Sequence, residues 1–482
     1  MKYLQSDVQK IKEGLYEAAD AVSSTLGPEG MNVFIEEKFA PRITNDGARI
    51  ANSLNLEDPL RNAGAYFVKS VSAKQNDDAG DGTTTASLFL QAILKESEKE
   101  DVSPAVLRRE IMSAARKAIS LLEPEAQKVE GKEEIKKVAL VSAEYSDVAE
   151  LIAEAHESLG KDAFITVEDS KDDSTALEKM RGYELNAGYL SPYFITDFSM
   201  ARSVLEDCQV AVFSKKVANI NHLTRVLDVM KSTQNNRLAL FVDEIDDRVL
   251  GFLVQNKQIN NIEVVVVHPL PEALDDIAGI TGATIIGSSG VEFRAVKEEH
   301  LGKAEKIITT NASCLILTDP IKANNQAMKI AAEAQNEDNM YLKERLEKRA
   351  ARLRGEIAVL KIGAANDMSR EHKKDKADDA IHSVRAALAE GTVAGAGIAW
   401  KKVAKQMEDS TKGRETAGDR IVRRSILYPS AILGTTRELP DVRDALLVEK
   451  NALLNAAEAA GIFLTTKYAL IEKNDEKNIN QS

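Results

Sequence analysis

Hydrophobic periodicity changes twice along this 482-residue chain, and that double change limits its fold more than any other feature. Val8, Ile11, Leu15, Ala18, Ala19 and Val22 fall on one helical stripe that stops at Gly27-Pro28. A second helix opens at Ser103-Pro104, carries Leu107, Ile111, Ala114, Ala118 and Leu122 on one face, and ends at Pro124. The middle of the chain turns to short apolar runs: Leu238 to Val242, Val264 to Val267, Ala283 to Ile286 and Cys314 to Leu317. Amphipathic stretches such as Leu223 to Met230 and Leu250 to Val254 separate them. Buried strands alternating with helices predict an α/β layer. A charged helix follows from about Asn336 to Arg354, stopped by Gly355, and helical character returns from Asp378 to the end. Helical, α/β and helical again predicts an α/β domain inserted into a helical one, and the length fits two to four domains.

Charge and composition narrow the function. A formal net charge of −13 argues against a nucleic-acid partner, which needs a basic face. There is no apolar run of membrane-spanning length, and Met1 to Asp7 lacks a signal core, so we expect a cytoplasmic protein with no membrane partner. Cys208 and Cys314 each sit in an apolar run and read as buried free thiols. The polar end, residues 474–482, reads as disordered.

The chemistry concentrates in Asp78-Ala79-Gly80-Asp81-Gly82-Thr83-Thr84-Thr85-Ala86. Two glycines allow close backbone approach to a ligand, and three threonines at a helix start offer hydroxyls and N–H groups to phosphate oxygens. Asp81 is placed to hold Mg²⁺ against them. An ordinary Asp-Gly turn followed by a threonine cap would also use these residues. Three successive β-branched residues open a helix poorly unless their hydroxyls are used, which favours the ligand reading. No Gly-x-x-x-x-Gly-Lys-Ser/Thr motif is present, so the site is not a P-loop.

Four blocks in register resemble the group I (GroEL type) chaperonins over nearly the whole chain. They are Thr25 to Asn32 with Ile43 to Gly47; Ala79 to Thr85; Gly188 to Phe194; and Asp378 to His382 with Arg385 to Ala387 and Glu390 to Gly397. The resemblance implies a multidomain α fold with an inserted α/β layer. Its helical equatorial domain would be residues 1–124 and 391–482, its small intermediate hinge domain 125–180 and 357–390, and its α/β apical domain 181–356. It implies an ATP-driven folding chamber for non-native polypeptides, built as a homo-oligomeric seven-membered ring, with a GroES-like co-chaperonin as candidate lid. ATP and Mg²⁺ are the implied cofactors, with K⁺ a candidate second cation. Asp81 matches the magnesium ligand, and Gly82, Thr83, Thr84 and Thr85 the phosphate cradle. Thr25, Leu26, Gly27 and Pro28 match the loop along phosphates and ribose. Asp46 and Asp379 match the carboxylates that orient the attacking water, although helix capping would also choose an aspartate at 379. Gly395 and Asp444 match the ribose and base contacts; Asp444 reads equally as a solvated helix-start residue. Tyr189, Tyr193, Phe194, Leu227, Leu250 and Val254 match the client-binding surface, while each taken singly also reads as core.

Departures from the family pattern set further expectations. Ala396 replaces the middle residue of a triple glycine, Glu29 stands where lysine is frequent, and Thr224 and Gln255 occupy usually apolar positions. The segment between Pro429 and Asp444 is short where the family carries part of the adenine pocket and the contact between back-to-back rings. We therefore expect relaxed nucleotide preference and a single ring. A shortened loop around His268-Pro269-Leu270-Pro271 and the lack of a Gly-Gly-Met tail complete the list. The alternative is a non-hydrolysing or weakly hydrolysing ring scaffold, a holdase. A small-molecule phosphohydrolase would explain the carboxylates but not the large insertion.

Overall fold

The computed structural model describes residues 2–5, 7–27, 29–36, 42–161, 163–198, 200–259, 262–287, 290–337, 340–353, 355–410, 413–437, 439 and 441–472. Pro28 and residues 474–482 lie outside the described residues. The chain divides into two compact units, Met1–Leu177 with Leu360–Ser482, and Glu178–Val359.

The first unit opens with β1 (Lys2–Gln5) and α1 (Val8–Ser23), then the ribbon β2 (Val33–Ile35) and β3 (Arg42–Thr44). Helices α2 (Gly47–Ser53), α3 (Pro59–Ala79), α4 (Thr83–Ser97) and α5 (Pro104–Leu122) follow, then α6 (Lys132–Ala143), α7 (Ser146–Leu159) and β4 (Ile165–Asp169). The predicted stripe of α1 is buried at Ile11, Leu15, Ala18, Ala19 and Val22, and α5 buries Leu107, Ile111, Ala114, Ala118 and Leu122. Asp7 and Asp58 cap α1 and α3 by accepting backbone N–H bonds. Helix α4 is apolar nearly all round and lies in the middle of the core, with Phe89 edge-on to Trp400.

The second unit is α/β. Strands β5 (Ala176–Leu185), β6 (Ser203–Phe213), β7 (Arg237–Val242), β8 (Glu263–Val267), β9 (Ile285–Ile286), β10 (Gly302–Thr309) and β11 (Cys314–Leu317) form a mixed sheet, in the order β5-β11-β10-β6-β7-β8 with β9 beside β6. The parallel pairs β6·β7 and β7·β8 are separated in sequence by α8 (Thr224–Thr233) and α9 (Asp247–Ile259), as parallel crossovers require. Of the run from Ala283 to Ile286, only Ile285 and Ile286 pair as strand. Cys208 and Cys314 are buried free thiols, and burial pushes each up to about 12. After α10 (Pro271–Thr281) and α11 (Pro320–Gln335) comes the charged helix α12 (Met340–Leu353). Arg349 anchors it, with Nη2 donating to the buried Asp276 at 2.8 Å.

Strand β12 (Glu356–Ile362) leads back into the helical unit and to α13 (Asp367–Glu390), which begins eleven residues before the predicted start. Asn366 caps it through Ser369 N–H. Its first three turns are charged and gave no apolar stripe to read, yet Lys373, Lys374 and Asp375 are buried there among ion-pair partners. Then come β13 (Thr392–Ala394), α14 (Ile398–Ser410), α15 (Ala417–Ser425), α16 (Tyr428–Ile432), β14 (Arg443–Ala445), α17 (Leu446–Leu464) and β15 (Ala469–Glu472). β13 pairs with β14 and β1 with β15, both antiparallel.

Candidate active site

A cavity of ≈ 710 Å³ opens inside the helical unit, where the N-terminus of α4 meets α2, α6, α13 and the β14–α17 corner. Its floor is the α3–α4 junction. Gly80 ends α3 at φ +69°, and a side chain there would collide with the ring of His382. Gly82 precedes α4 at φ +82°, where a Cβ would meet Val448. Both positions require glycine, for backbone angle and for space. No side chain caps α4, so the N–H groups of Thr83, Thr84 and Thr85 have no intrahelical acceptor, and all three residues line the cavity. The threonines thus open the helix as the sequence predicts.

Asp81 is held between these glycines. Gly82 N–H donates to Oδ1 and Ser142 Oγ to Oδ2 at 2.9 Å, while buried Gln75 donates to the Asp81 carbonyl at 2.8 Å. Asn455 Nδ2 in turn donates to Gln75 at 3.1 Å. Burial raises the proton affinity of the Asp81 carboxyl against these donors. Among the described residues no group of three or more His, Cys, Asp or Glu side chains could hold a metal alone. One carboxylate beside phosphate donors fits Mg²⁺, which keeps waters and shares its shell with phosphates.

Asp46 caps α2, accepting from Ala48 N–H at 2.9 Å, and pairs with Arg49 at 3.2 Å. Asp379 lies in the interior of α13, which removes the capping reading. Burial, then the negative charges of Asp46 and Asp81, push its carboxyl well above the usual range; Lys376 opposes them. All three aspartates line the cavity, with Thr25, Leu26, Gly27 and Gly82 to Thr85. Thr25 Oγ1 is 3.1 Å from Thr84 Oγ1, joining the two loops.

Asp444 also lines the cavity; it lies in β14, two residues ahead of α17, and is half-buried. Burial and the charge of Asp81 push it up to about 6, against a 3.1 Å bond from Ala396 N–H. Gly395 does not line the cavity; it backs onto Asp444 and Val442, and Ala396 and Gly397 form the wall instead. Ala396 adopts φ 53°, a left-handed angle disfavoured by its methyl. Ser142, Lys376 and Glu449 line the cavity without having been singled out in the sequence. Spacing was the only available signal: Lys376 is one turn from Asp379, and Glu449 is in the first turn after Asp444.

In the α/β unit the candidate client residues separate by burial. Tyr193 is 66% exposed, whereas Phe194 is fully buried in the sheet core and offers no contact surface in this conformation. Tyr189, Leu227, Leu250 and Val254 are half-buried against that core. Lys257 on α9 donates to the carbonyls of Tyr193 and Ile195 at 2.9 and 2.7 Å, fixing the turn. Phe198, not singled out in the sequence, is 81% exposed four residues beyond Phe194.

No described helix is long and apolar enough to cross a membrane. The chaperonin gp146 of bacteriophage EL 2 (Pseudomonas aeruginosa), solved in the presence of ATP-BeFx, superimposes with TM-scores of 0.68 and 0.62 in its two crystal forms. The two proteins are 17% identical, and the match covers 98% of this chain and 99% of the phage chain. The model of the TCP-1/cpn60 chaperonin family matches residues 18–446, most of the length. A helical unit carrying an inserted α/β unit, together with that match, makes this chain a member of the TCP-1/cpn60 chaperonin family.

Proposed function

We propose that this chaperonin hydrolyses ATP in the cavity described above and couples turnover to capture and release of non-native polypeptides. The observation carrying the proposal is the arrival of Asp46, Asp81 and Asp379, from three separate elements, on the wall that also presents the uncapped start of α4. In this reading the N–H groups and hydroxyls of Thr83 to Thr85 cradle the phosphates, with Thr25, Leu26 and Gly27 alongside. Asp81 would hold Mg²⁺, which supplies charge neutralisation to the phosphates. Asp46 and Asp379 orient the attacking water. Asp444 and the Ala396-Gly397 wall take the ribose and base end. That phage gp146 was solved with ATP-BeFx supports the same use of the shared fold.

We assign residues 1–124 and 391–482 to an equatorial domain, 125–180 and 357–390 to an intermediate domain, and 181–356 to an apical domain. Tyr193, Leu227, Leu250 and Val254, extended by exposed Phe198, supply the apolar surface for clients. Two ribbons, β1–β15 and β2–β3, have no third strand among the described residues and favour assembly into a homo-oligomeric ring, seven-membered and single by resemblance.

The test compares steady-state ATPase of the parent and Asp379→Ala with MgATP. The variant should bind nucleotide and turn over at least about tenfold more slowly, the loss expected for a water-positioning group. Equal turnover removes Asp379 from the chemistry; a parent no faster than background makes the protein a non-hydrolysing scaffold.

A further inference from the structure

Arg49 stands behind the cavity wall and does not line it. Its guanidinium lies between carboxylates of two different elements. Nε is 3.2 Å from Asp46 Oδ2 at the start of α2, and Nη2 is 2.6 Å from Asp375 Oδ1 on α13. The Asp375 side chain is only 5% exposed, so the pair is desolvated and its geometry is confined. Asp375 precedes Asp379 by one helical turn, on the same face. One turn earlier, Glu371 meets Arg42 at 3.3 Å. Successive turns of α13 therefore present Glu371 to Arg42, Asp375 to Arg49 and Asp379 to the cavity.

Asp46 at the start of α2 and Asp375 on α13 lie on either side of the Arg49 guanidinium, which favours the charged form of Asp375 against its burial. Without a cation between the elements, their repulsion would push α13 away from α2. Arginine suits this place because its planar fork engages two carboxylates at once, which a lysine ammonium does less well. We propose that Arg49 is a positioning residue for hydrolysis: a single guanidinium orients Asp46 and, through Asp375, sets the register of α13 that brings Asp379 to the cavity. The proposal rests on the ATPase reading above. Arg49 touches no reacting atom, so its effect should fall on turnover and not on nucleotide binding.

The test uses the full-length parent, Arg49→Met, Arg49→Lys and Asp375→Asn. Steady-state ATPase with MgATP is measured beside hydrogen exchange of the nucleotide-free proteins. Arg49→Met should lower kcat at least about tenfold with KM within about threefold, the signature of an interaction needed in the transition state. Arg49→Lys, keeping charge without the fork, should fall between Met and parent. Asp375→Asn should lower kcat about threefold, since Arg49 keeps Asp46. Exchange should quicken in α13 for Arg49→Met and Asp375→Asn and stay unchanged in α5. The proposal is overturned by Arg49→Met with kcat within about twofold of the parent, or by KM and thermal midpoint worsening in step with kcat and Lys giving no rescue. Should Arg49→Met fail to fold, Asp375→Asn decides: unchanged kcat and unchanged α13 exchange overturn the proposal. A parent without turnover overturns the ATPase reading and the catalytic part of this one, while α13 exchange separately reports whether Arg49 holds the helix.

Discussion

Trp400, the single tryptophan, donates its indole N–H to the Glu449 carboxylate inside the helical core. Burial, then the charge of Asp444, pushes Glu449 up to about 8, with the indole bond opposing. The folded protein therefore keeps a proton on Glu449 that the unfolded chain releases near the ordinary value of 4.5. Between those two values the native state binds more protons than the unfolded state. The stability contributed by this group is complete below pH 4.5 and is lost as pH rises through about 8. Glu449→Gln keeps an acceptor for the indole and cannot ionise. Its thermal midpoint should fall less than the parent's from about pH 6 to pH 8.5. Parallel declines in the two proteins would mean that Glu449 is already ionised at neutral pH. Such a residue was not legible in the sequence, because nothing in Leu447-Val448-Glu449-Lys450 separates a buried glutamate from a solvated one. Burial of a charge is a tertiary fact. Asp81 with its glycines and threonines was legible because that pattern is local in the chain.

Elements divide in the same way. Helices α1 and α5 follow from their apolar stripes, and β7 and β8 from unbroken apolar runs. The first turns of α13 and the seat of α12 do not, since both depend on ion pairs formed after folding, such as Lys373 with Asp147 and Arg349 with Asp276. Phe194 was assigned by resemblance to the client surface, and the sheet core encloses it instead. The junction between α3 and α4 permits a direct test, because one residue sets both the backbone angle and the clearance. Gly82→Ala places a methyl at φ +82° and within 2.5 Å of Val448 Cγ1. Strain of about 1–3 kcal/mol is expected, relieved by displacing the first turn of α4. Nucleotide affinity should fall with stability, as the N–H groups of Thr83 to Thr85 turn from their common focus. Chemical denaturation and titration with a fluorescent nucleotide measure the two. A variant that loses stability at unchanged affinity would detach the start of α4 from the phosphates.

For the molecule as a whole, two ribbons have no third strand among the described residues. The ribbon β2–β3 contains only two strands, and its directly opposed pair Phe34 and Ile43 is 64% and 37% exposed. The ribbon β1–β15 joins the two ends of the described chain and is likewise two-stranded. An isolated two-stranded ribbon is marginal in water, and exposed edges with apolar side chains invite pairing with another chain. Each subunit offers two such ribbons, so one from each copy can join in a head-to-tail contact, and head-to-tail contacts that close produce rings. Phe34→Lys leaves every backbone hydrogen bond of the ribbon in place and puts a cation where the contact must be dry. It should weaken association at least about tenfold, or about 1.4 kcal/mol per contact, while the monomer keeps its thermal midpoint. Sedimentation velocity across a dilution series reads the change as a shift to smaller species at a concentration where the parent remains assembled. A variant that assembles like the parent would place any subunit interface away from the Phe34 ribbon.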